Sequence, residues 1–572
     1  MEKVNKLRKL FKRFNIDGYI VPKNDEFFNE YIPPNKDRLK FISNFSGSFG
    51  FAIILRNKNY LFIDGRYTLQ ALKESAKQFN IKVLPKEKPQ NIFKDKYLKI
   101  GFDPKLFTSK NLSFFFNKSN SKAIPINENL IDYIWIRKKN TTIKKFYTLP
   151  DNSVGLTHSQ KINKLISEIR KKKANLLFIT SSENNAWLLN MRGYDVEYSS
   201  VPLGYMLLDV NKQIKFFCDL KKISTSLKRK LNKVKFIDIK NIDFNLADLK
   251  NRKIIFDKST CSIFFEEIIK KKNYLLNFSD PVFLLKAIKN KHEIENIKKA
   301  HIYDGVALTK YLLWLKKNFL KNKVTEISGE KKLYSLRRKN KKFKFSSFPT
   351  ISGAGPNAAI IHYRATKKTN RRLKRGDIYL VDSGGQYLFG TTDVTRTICL
   401  GSSKKRVKNI FTRVLKGHIA VTNFKLKKNS TGSSIDYEAR KYLNLVNLDY
   451  AHGTGHGVGY FLNVHEGPQA ISSKNKIKLK QGMILSNEPG YYENGKFGIR
   501  IENLVRIKKI GEMYRFEDLT LAPIDKTLIE KKLLKKNEIY WLNEYHEKVY
   551  KNLKKYMNKH ELSDLKSYCS NI

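Results

Sequence analysis

Asp382 and Asp393 stand almost equally far from a turn near Leu388–Gly390 in the segment YLVDSGGQYLFGTTDVTRTIC. The two halves of that segment read as strands. In an antiparallel hairpin the two carboxylates face each other or sit diagonally, within reach of a shared ion. Carboxylates that close repel unless a cation lies between them or one of them binds a proton, and a metal is the natural resolution. A second segment, AHGTGHGVGYFLNVHEGP, gathers His452, His456 and His465 with five glycines, in a chain with only 10 histidines. A lone histidine is more often a satisfied polar residue than a ligand, but three so close together shift that balance, and glycines permit close approach to a crowded site. In MILSNEPGYY, Glu488 precedes a Pro-Gly turn signal. In FGIRIENLVRI, alternation places Ile499 and Ile501 on one side and Arg500, Glu502 and Leu504 on the other. A glutamate inside such a strand is costly to bury unless it is paired or coordinated. Taken singly, each of these residues has an ordinary explanation as part of a loop or turn.

The surrounding pattern shows what must hold these residues. The opening, MEKVNKLRKLFKRFNIDGYIVP, reads as a basic amphipathic helix leading into a strand. Short apolar strands follow in DGYIVP, GFAIIL and YLFIDGRY, between helical stretches, as in an α/β layer. The pattern breaks at a polar connector over Arg137–Asp151. A second α/β block has ANLLFIT, VPLGYMLLDV, QIKFFCDL and RKIIFD as strands. Near Asp280–Pro281 it gives way to FLLKAIKNKHEIENIKKAHIYDGVALTKYLLWLKK, which predicts one or two amphipathic helices. Glycine-rich strands and turns from about Phe343 carry nearly all the chemical residues, and the last stretch returns to helix. No repeat is evident. The expected domains are 1–145, 146–282 and 283–572.

Taken in order, DSGGQY…GTTDVTRT, GTGHGVG, NEPG and GIRIEN resemble the signature of the pita-bread metallopeptidases, family M24. That family holds two divalent ions with two Asp, one His and two Glu. The resemblance implies Asp382, Asp393, His456, Glu488 and Glu502 as ligands. Asp393 and Glu502 would bridge, Asp382 would complete one ion's shell, and His456 with Glu488 the other's. Four carboxylates balance two divalent cations. Oxygen-rich ligation with one imidazole suits manganese better than a thiolate-rich zinc site would, although cobalt, iron and zinc are compatible. The implied chemistry is hydrolysis by a hydroxide bridging the two ions, with one ion polarising the scissile carbonyl. Glu488 would receive the nucleophile's proton. His362 in AIIHYRAT, His452 and His465 hold positions that family members use to protonate a leaving proline nitrogen or to bind the oxyanion.

The wording outside the metal motifs narrows the branch. EYIPPNKDRLKFISNFSGSFG, FIDGRYTLQA, NAWLLNMRGYDVEYSSVPLGYMLL and the junction and C-terminal stretches resemble the long, three-domain aminopeptidase P enzymes. The fold implied is α/β (α+β): two creatinase-like N-terminal α/β domains, then a pita-bread catalytic domain with a helical extension. The activity implied is release of the first residue from peptides with proline second. Glu30 and Arg66 match positions that line the substrate cleft in relatives, although Arg66 in a DGRY turn is equally explained by holding a nearby carboxylate. Family members carry histidine where this chain has Phe27, and a small residue where it has Phe49. The C-terminal extension implies a homodimer. A prolidase would keep the same five ligands, and a metal-free relative could serve as a binding module. Such relatives lose ligands, whereas all five are present here.

Composition sets the remaining bounds. Of the 572 residues 41% are hydrophobic and 12% aromatic, which excludes a disordered chain and calls for several domains. No apolar run approaches the roughly 20 residues of a membrane helix, and no secretory signal is read at the start. The four cysteines are too scattered for a disulfide framework, so a reduced, cytoplasmic protein is expected. A net charge of +60 invites a nucleic-acid reading. The lysines are spread along the whole chain, however, and aromatic recognition motifs are absent. Lysine, asparagine and isoleucine are abundant together, as codon usage biased toward A and T produces, so no specific nucleic-acid partner and no membrane insertion are expected.

Overall fold

Val4, Leu7 and Phe11 recur at three- and four-residue steps, and the computed structural model buries them on one face of a helix, Glu2–Arg13. The structure describes residues 1–137, 143–321 and 323–572, so part of the expected polar connector lies outside the described residues. The chain divides into two compact units, Met1–Phe283 and Leu284–Ile572.

The first unit contains two six-stranded sheets. One runs Asn80–Val83, Asn59–Ile63, Phe51–Leu55, Gly18–Pro22, Lys99–Phe102 and Lys122–Pro125 from edge to edge. The other runs Val234–Asp238, Ile214–Cys218, Tyr205–Asp209, Leu176–Ile179, Lys253–Phe256 and Tyr274–Asn277. Successive pairings are parallel, antiparallel, antiparallel, parallel and parallel in both. The same topology therefore occurs twice, although no repeat is visible in the sequence. What recurs is burial: GYIVP in one central strand and LLFI in the other are buried throughout. A strand covered on both faces needs apolar volume, which many residues supply. Phe27 stacks on Tyr205 with ring centroids 4.8 Å apart, and Phe49 is exposed.

The junction stretch forms two helices, Val282–Ala287 and Lys291–Asn318. Asn290 separates them. Its side chain accepts from the Glu293 backbone N–H, and the Glu293 carboxylate accepts from that of Asn290, a reciprocal cap. In the second unit, Ile378–Ser383 lies between Ile351–Ala354 and Val394–Cys399, with Asp382 opposite Thr395. Between Ile378–Ser383 and Val394–Cys399 the chain turns aside into Gly385–Tyr387 and Gly390–Thr391. A Cβ at Gly384 would stand 1.9 Å from the Thr392 carbonyl oxygen, so only glycine allows this crossing. A five-stranded sheet runs Glu466–Ile471, Gly455–Gly457, Ile484–Asn487, Asn503–Ile510 and Met513–Asp518.

FGIRIENLVRI, expected as a single strand, is two. Phe497–Arg500 pairs with Gly490–Glu493, whereas Asn503–Ile510 joins the five-stranded sheet. The break falls at Ile501 and Glu502 because the hairpin that carries Asp382 and Asp393 captures the backbone there. Thr397 Oγ1 exchanges hydrogen bonds with the Arg500 N–H and carbonyl at 3.0 and 2.9 Å, and the Glu502 N–H donates to Thr395 O at 3.2 Å.

The helix Lys405–Thr422 buries Ile410, Phe411, Val414 and Leu415 in a core shared with Leu542, Tyr545, Val549 and Leu553 of Lys536–Leu553. In the C-terminal helix, Tyr540 is exposed and Trp541 stacks on Tyr545. Among the described residues no helix is long and apolar enough to cross a membrane. His546, fully buried, accepts the Ile524 backbone N–H through Nε2 at 3.1 Å. Burial, with help from the charges of Lys526 and Arg396, holds it down to about 3 from an ordinary 6.5.

Two outcomes are expected. Gly384→Ala should lower the thermal midpoint of the folded protein, by an overpacking cost of about 1–3 kcal/mol, read by calorimetry. The unfolded chain protonates His546 below about pH 6.5 and the folded chain does not until about pH 3, so stability is lost as pH falls through that interval. The thermal midpoint should therefore drop between about pH 7 and pH 5, and drop less steeply in His546→Gln.

Candidate metal centre

The five predicted ligands reach one place from five strand ends or edges. Asp382 projects from Ile378–Ser383, and Asp393 immediately precedes Val394–Cys399. With Asp382 opposite Thr395, Asp393 is its diagonal neighbour on the same face, one of the two arrangements the hairpin allows. His456 is the middle residue of Gly455–Gly457. Asn487 pairs with Asn503, so Glu488 and Glu502 lie just past the matched ends of their two strands. A Cβ at Gly455 would meet the Ser486 carbonyl oxygen at 1.9 Å, so glycine lets the histidine strand lie against the Glu488 strand.

His456 Nε2 stands 3.4 Å from Asp393 Oδ2 and 3.4 Å from Glu488 Oε1. Among the described residues, ligand atoms of Asp393, His456 and Glu502 all lie within 4.8 Å of one another. Asp382, Asp393 and Glu502 are buried, at 7%, 4% and 1% exposure. Burial raises Asp393 to about 6 against the pull of His456, and raises Glu488. Burial together with the neighbouring carboxylates pushes Glu502 well above the usual range. His456 moves to about 9: its burial is outweighed by the hydrogen bond to Asp393 and the Glu488 charge.

Several observations fit this donor set to divalent cations. Among the described residues, Asp382 Oδ1, Asp393 Oδ1 and Glu502 Oε1 are buried without hydrogen-bond partners. The His456 Nδ1–H donates to the Gly457 carbonyl at 2.9 Å, which turns Nε2 toward Asp393 and Glu488, where a bound cation could replace its proton. Oxygen donors with one imidazole form a hard ligand set.

Around the donors lies a set of residues whose contacts could not be read from the sequence. Arg500 Nη2 donates to Asp382 Oδ2 at 2.6 Å, Nη1 to Tyr492 OH at 2.6 Å, and Nε to Thr395 Oγ1 at 3.0 Å. Thr395 donates in turn to Glu502 Oε2 at 2.8 Å, and Ser486 Oγ donates to Glu488 Oε1 at 3.0 Å. The signal for Arg500 was its shared strand face with Glu502; nothing in the spacing marked Tyr492, Thr395 or Ser486.

Of the other predicted residues, His452 and His465 join the site. The His452 Nδ1–H donates to Gly453 O, so Nε2 accepts from Tyr492 OH at 2.9 Å and the ring joins the Arg500–Asp382 chain. The His465 ring stands perpendicular to His456 with centroids 4.3 Å apart, and its charge acts on Glu488. His362 sits half-buried in the turn after Gly355–Ala359, a segment that packs against Gly498. Glu30 and Arg66 lie in the first unit, where the charge of Glu30 acts on Arg66. Arg66 itself forks onto Asp64, Nη2 to Oδ2 at 2.7 Å, which is the carboxylate-holding role that its turn suggested.

Known proteins resemble this chain along nearly its whole length. Residues 295–509 match the model of metallopeptidase family M24, and residues 512–572 match the C-terminal region of that family. Residues 3–132 and 137–293 each match a creatinase/prolidase N-terminal domain. A probable Xaa-Pro aminopeptidase P of Laccaria bicolor is 39% identical over 95% of this chain and 89% of its own length. Xaa-Pro aminopeptidase 1 of Dictyostelium discoideum is 37% identical over 96% of this chain and 92% of its own. The crystal structure of X-prolyl aminopeptidase from Caenorhabditis elegans, described as a cytosolic enzyme with a di-nuclear active site, superposes with a TM-score of 0.95 at 31% identity. It covers 100% of this chain and 99% of that one. The chain belongs to metallopeptidase family M24, in its Xaa-Pro aminopeptidase branch. It is a hydrolase of the aminopeptidase type, built from creatinase-like N-terminal domains and an M24 catalytic domain.

Arg500→Lys should keep a positive charge but lose the fork to Asp382, Tyr492 and Thr395. Turnover should fall roughly ten- to a hundredfold, the range for a residue that orients ligands, while circular dichroism stays that of the parent.

Proposed function

We propose that this enzyme releases the first residue of peptides whose second residue is proline, with two divalent ions held by Asp382, Asp393, His456, Glu488 and Glu502. The observation that carries the reading is the cluster of buried carboxylates with unpartnered oxygens at 382, 393 and 502. Support also comes from the full-length likeness to an X-prolyl aminopeptidase with a di-nuclear active site. These five side chains would hold the ions, and ligand atoms of Asp393, His456 and Glu502 lie within 4.8 Å of one another. Manganese is the proposed metal on the chemistry of the donors. Bound there, the pair would supply a water of lowered pKa and a Lewis acid for the scissile carbonyl.

The chain's own residues do the rest. Glu488, raised by burial, accepts the nucleophile's proton at a carboxylate oxygen. Arg500 holds Asp382 in place, and Thr395 orients Glu502. His452 is oriented by its Nδ1–H to Gly453 O and by Tyr492 OH on Nε2, and a substrate group would reach its Nε2 in place of Tyr492. His465 and His362 serve the oxyanion and the proline nitrogen, which must gain a proton to leave. Glu30 and Arg66 are proposed to line the substrate cleft. The proposed domains are 1–145, 146–282 and 283–572, with a homodimer made through the C-terminal helices and a cytoplasmic location.

The test is hydrolysis of Arg-Pro-Pro against Ala-Pro and Arg-Ala-Pro, after chelation and again with manganese restored. Metal-dependent release of Arg from Arg-Pro-Pro, much faster than cleavage of the others, is expected. Preference for Ala-Pro would make the chain a prolidase, and silence on all three would overturn the reading. Asp393→Ala should abolish turnover with the fold largely retained, because one of the residues that would hold the ions is lost. His465→Ala should lower turnover while metal analysis still finds both ions.

A further inference from the structure

Next to His465 lies a buried ionic cluster that the reaction as described does not use. Glu466 is 1% exposed at its side chain and faces two lysines that are 0% exposed. Lys286 Nζ stands 3.3 Å from Glu466 Oε2, and Lys289 Nζ bonds Oε1. Burying one carboxylate with two ammoniums is costly, and three apolar side chains of similar volume would pack there at less cost. An ionic cluster differs from apolar packing in holding a side chain at a fixed point and direction.

That point adjoins the metal centre. Glu466 pairs with Gly457, the residue after His456, and a Cβ on Gly457 would meet the Glu466 carbonyl oxygen at 2.3 Å. The backbone of residue 466 thus crosses directly against the histidine strand, and His465 sets its ring 4.3 Å from that of His456. The loop is also pinned upstream, where Gln386 Nε2 donates to Leu462 O at 2.6 Å and Thr391 Oγ1 to Gln386 Oε1 at 2.9 Å. Gln386 and Thr391 belong to the same hairpin as Asp393. His465 is therefore suspended between an anchor on the metal hairpin and an ionic anchor on residues 286–289.

We infer that Lys286, Lys289 and Glu466 are positioning residues that hold His465 over the metal centre, so that its imidazole meets the peptide substrate in one orientation. The inference rests on the substrate role proposed above for His465.

The experiment compares Lys289→Met and Glu466→Gln, each alone and combined with His465→Ala. Lys289→Met leaves a charge-balanced Lys286–Glu466 pair and so guards against misfolding in Glu466→Gln. Both variants should keep the parent's metal content, and their crystal structures should show the His465 ring displaced from His456. Turnover of Arg-Pro-Pro should fall roughly ten- to a hundredfold, with no further loss when His465 is already alanine. An unmoved His465 ring in Lys289→Met, or losses that multiply with His465→Ala, would overturn the inference. Should the parent enzyme itself fail on Xaa-Pro peptides, the proposed function falls, while the position of the His465 ring still judges the cluster.

Discussion

Four carboxylates gathered in a protein interior are the constraint on which the catalytic unit turns. Asp382, Asp393, Glu488 and Glu502 sit where water cannot screen them, and their mutual repulsion with burial drives Asp393, Glu488 and Glu502 upward. The protein supplies two cationic answers of its own, Arg500 on Asp382 and His456 between Asp393 and Glu488. Those two do not occupy every oxygen: one each on Asp382, Asp393 and Glu502 stays buried and unpartnered. Buried oxygens of this kind fit divalent cations, in keeping with the metallopeptidase family to which the chain belongs.

Much of the local architecture follows from bringing those groups together. Gly384 and Gly455 occur where a side chain would collide with a neighbouring carbonyl oxygen. The break between Phe497–Arg500 and Asn503–Ile510 occurs where the hairpin threonines take over hydrogen bonds a continuous sheet would have used. That break lets Arg500 and Glu502, two residues apart, both reach Thr395. Orientation by hydrogen bonds at this distance from the reacting atoms is what keeps ligands fixed while substrates come and go.

The first unit shows a different economy. Its two sheets share strand order and pairing sense without shared wording, because a central buried strand specifies apolar volume and little else. The +60 charge is spread along the chain rather than gathered in one segment. It bears on solubility and on long-range attraction to acidic molecules.

By itself the sequence pointed to the candidate acidic and histidine residues and to the strands near which they lie. Equal spacing from a turn placed Asp382 and Asp393 together, since an antiparallel hairpin preserves that distance whatever surrounds it. Apolar runs such as GYIVP and LLFI marked central strands, and steps of three and four marked the first helix, because both periods belong to the backbone. Tertiary structure alone decided which distant partners complete the site. Arg500 on Asp382, Tyr492 on His452 and the lysines at 286 and 289 on Glu466 are contacts across many residues of chain. No local period encodes them, for they depend on how sheets and loops converge. For the same reason GIRIEN could be read as one alternating strand although it is divided between two sheets: alternation records which side a residue faces, and only the hydrogen-bonding partners decide to which sheet it belongs.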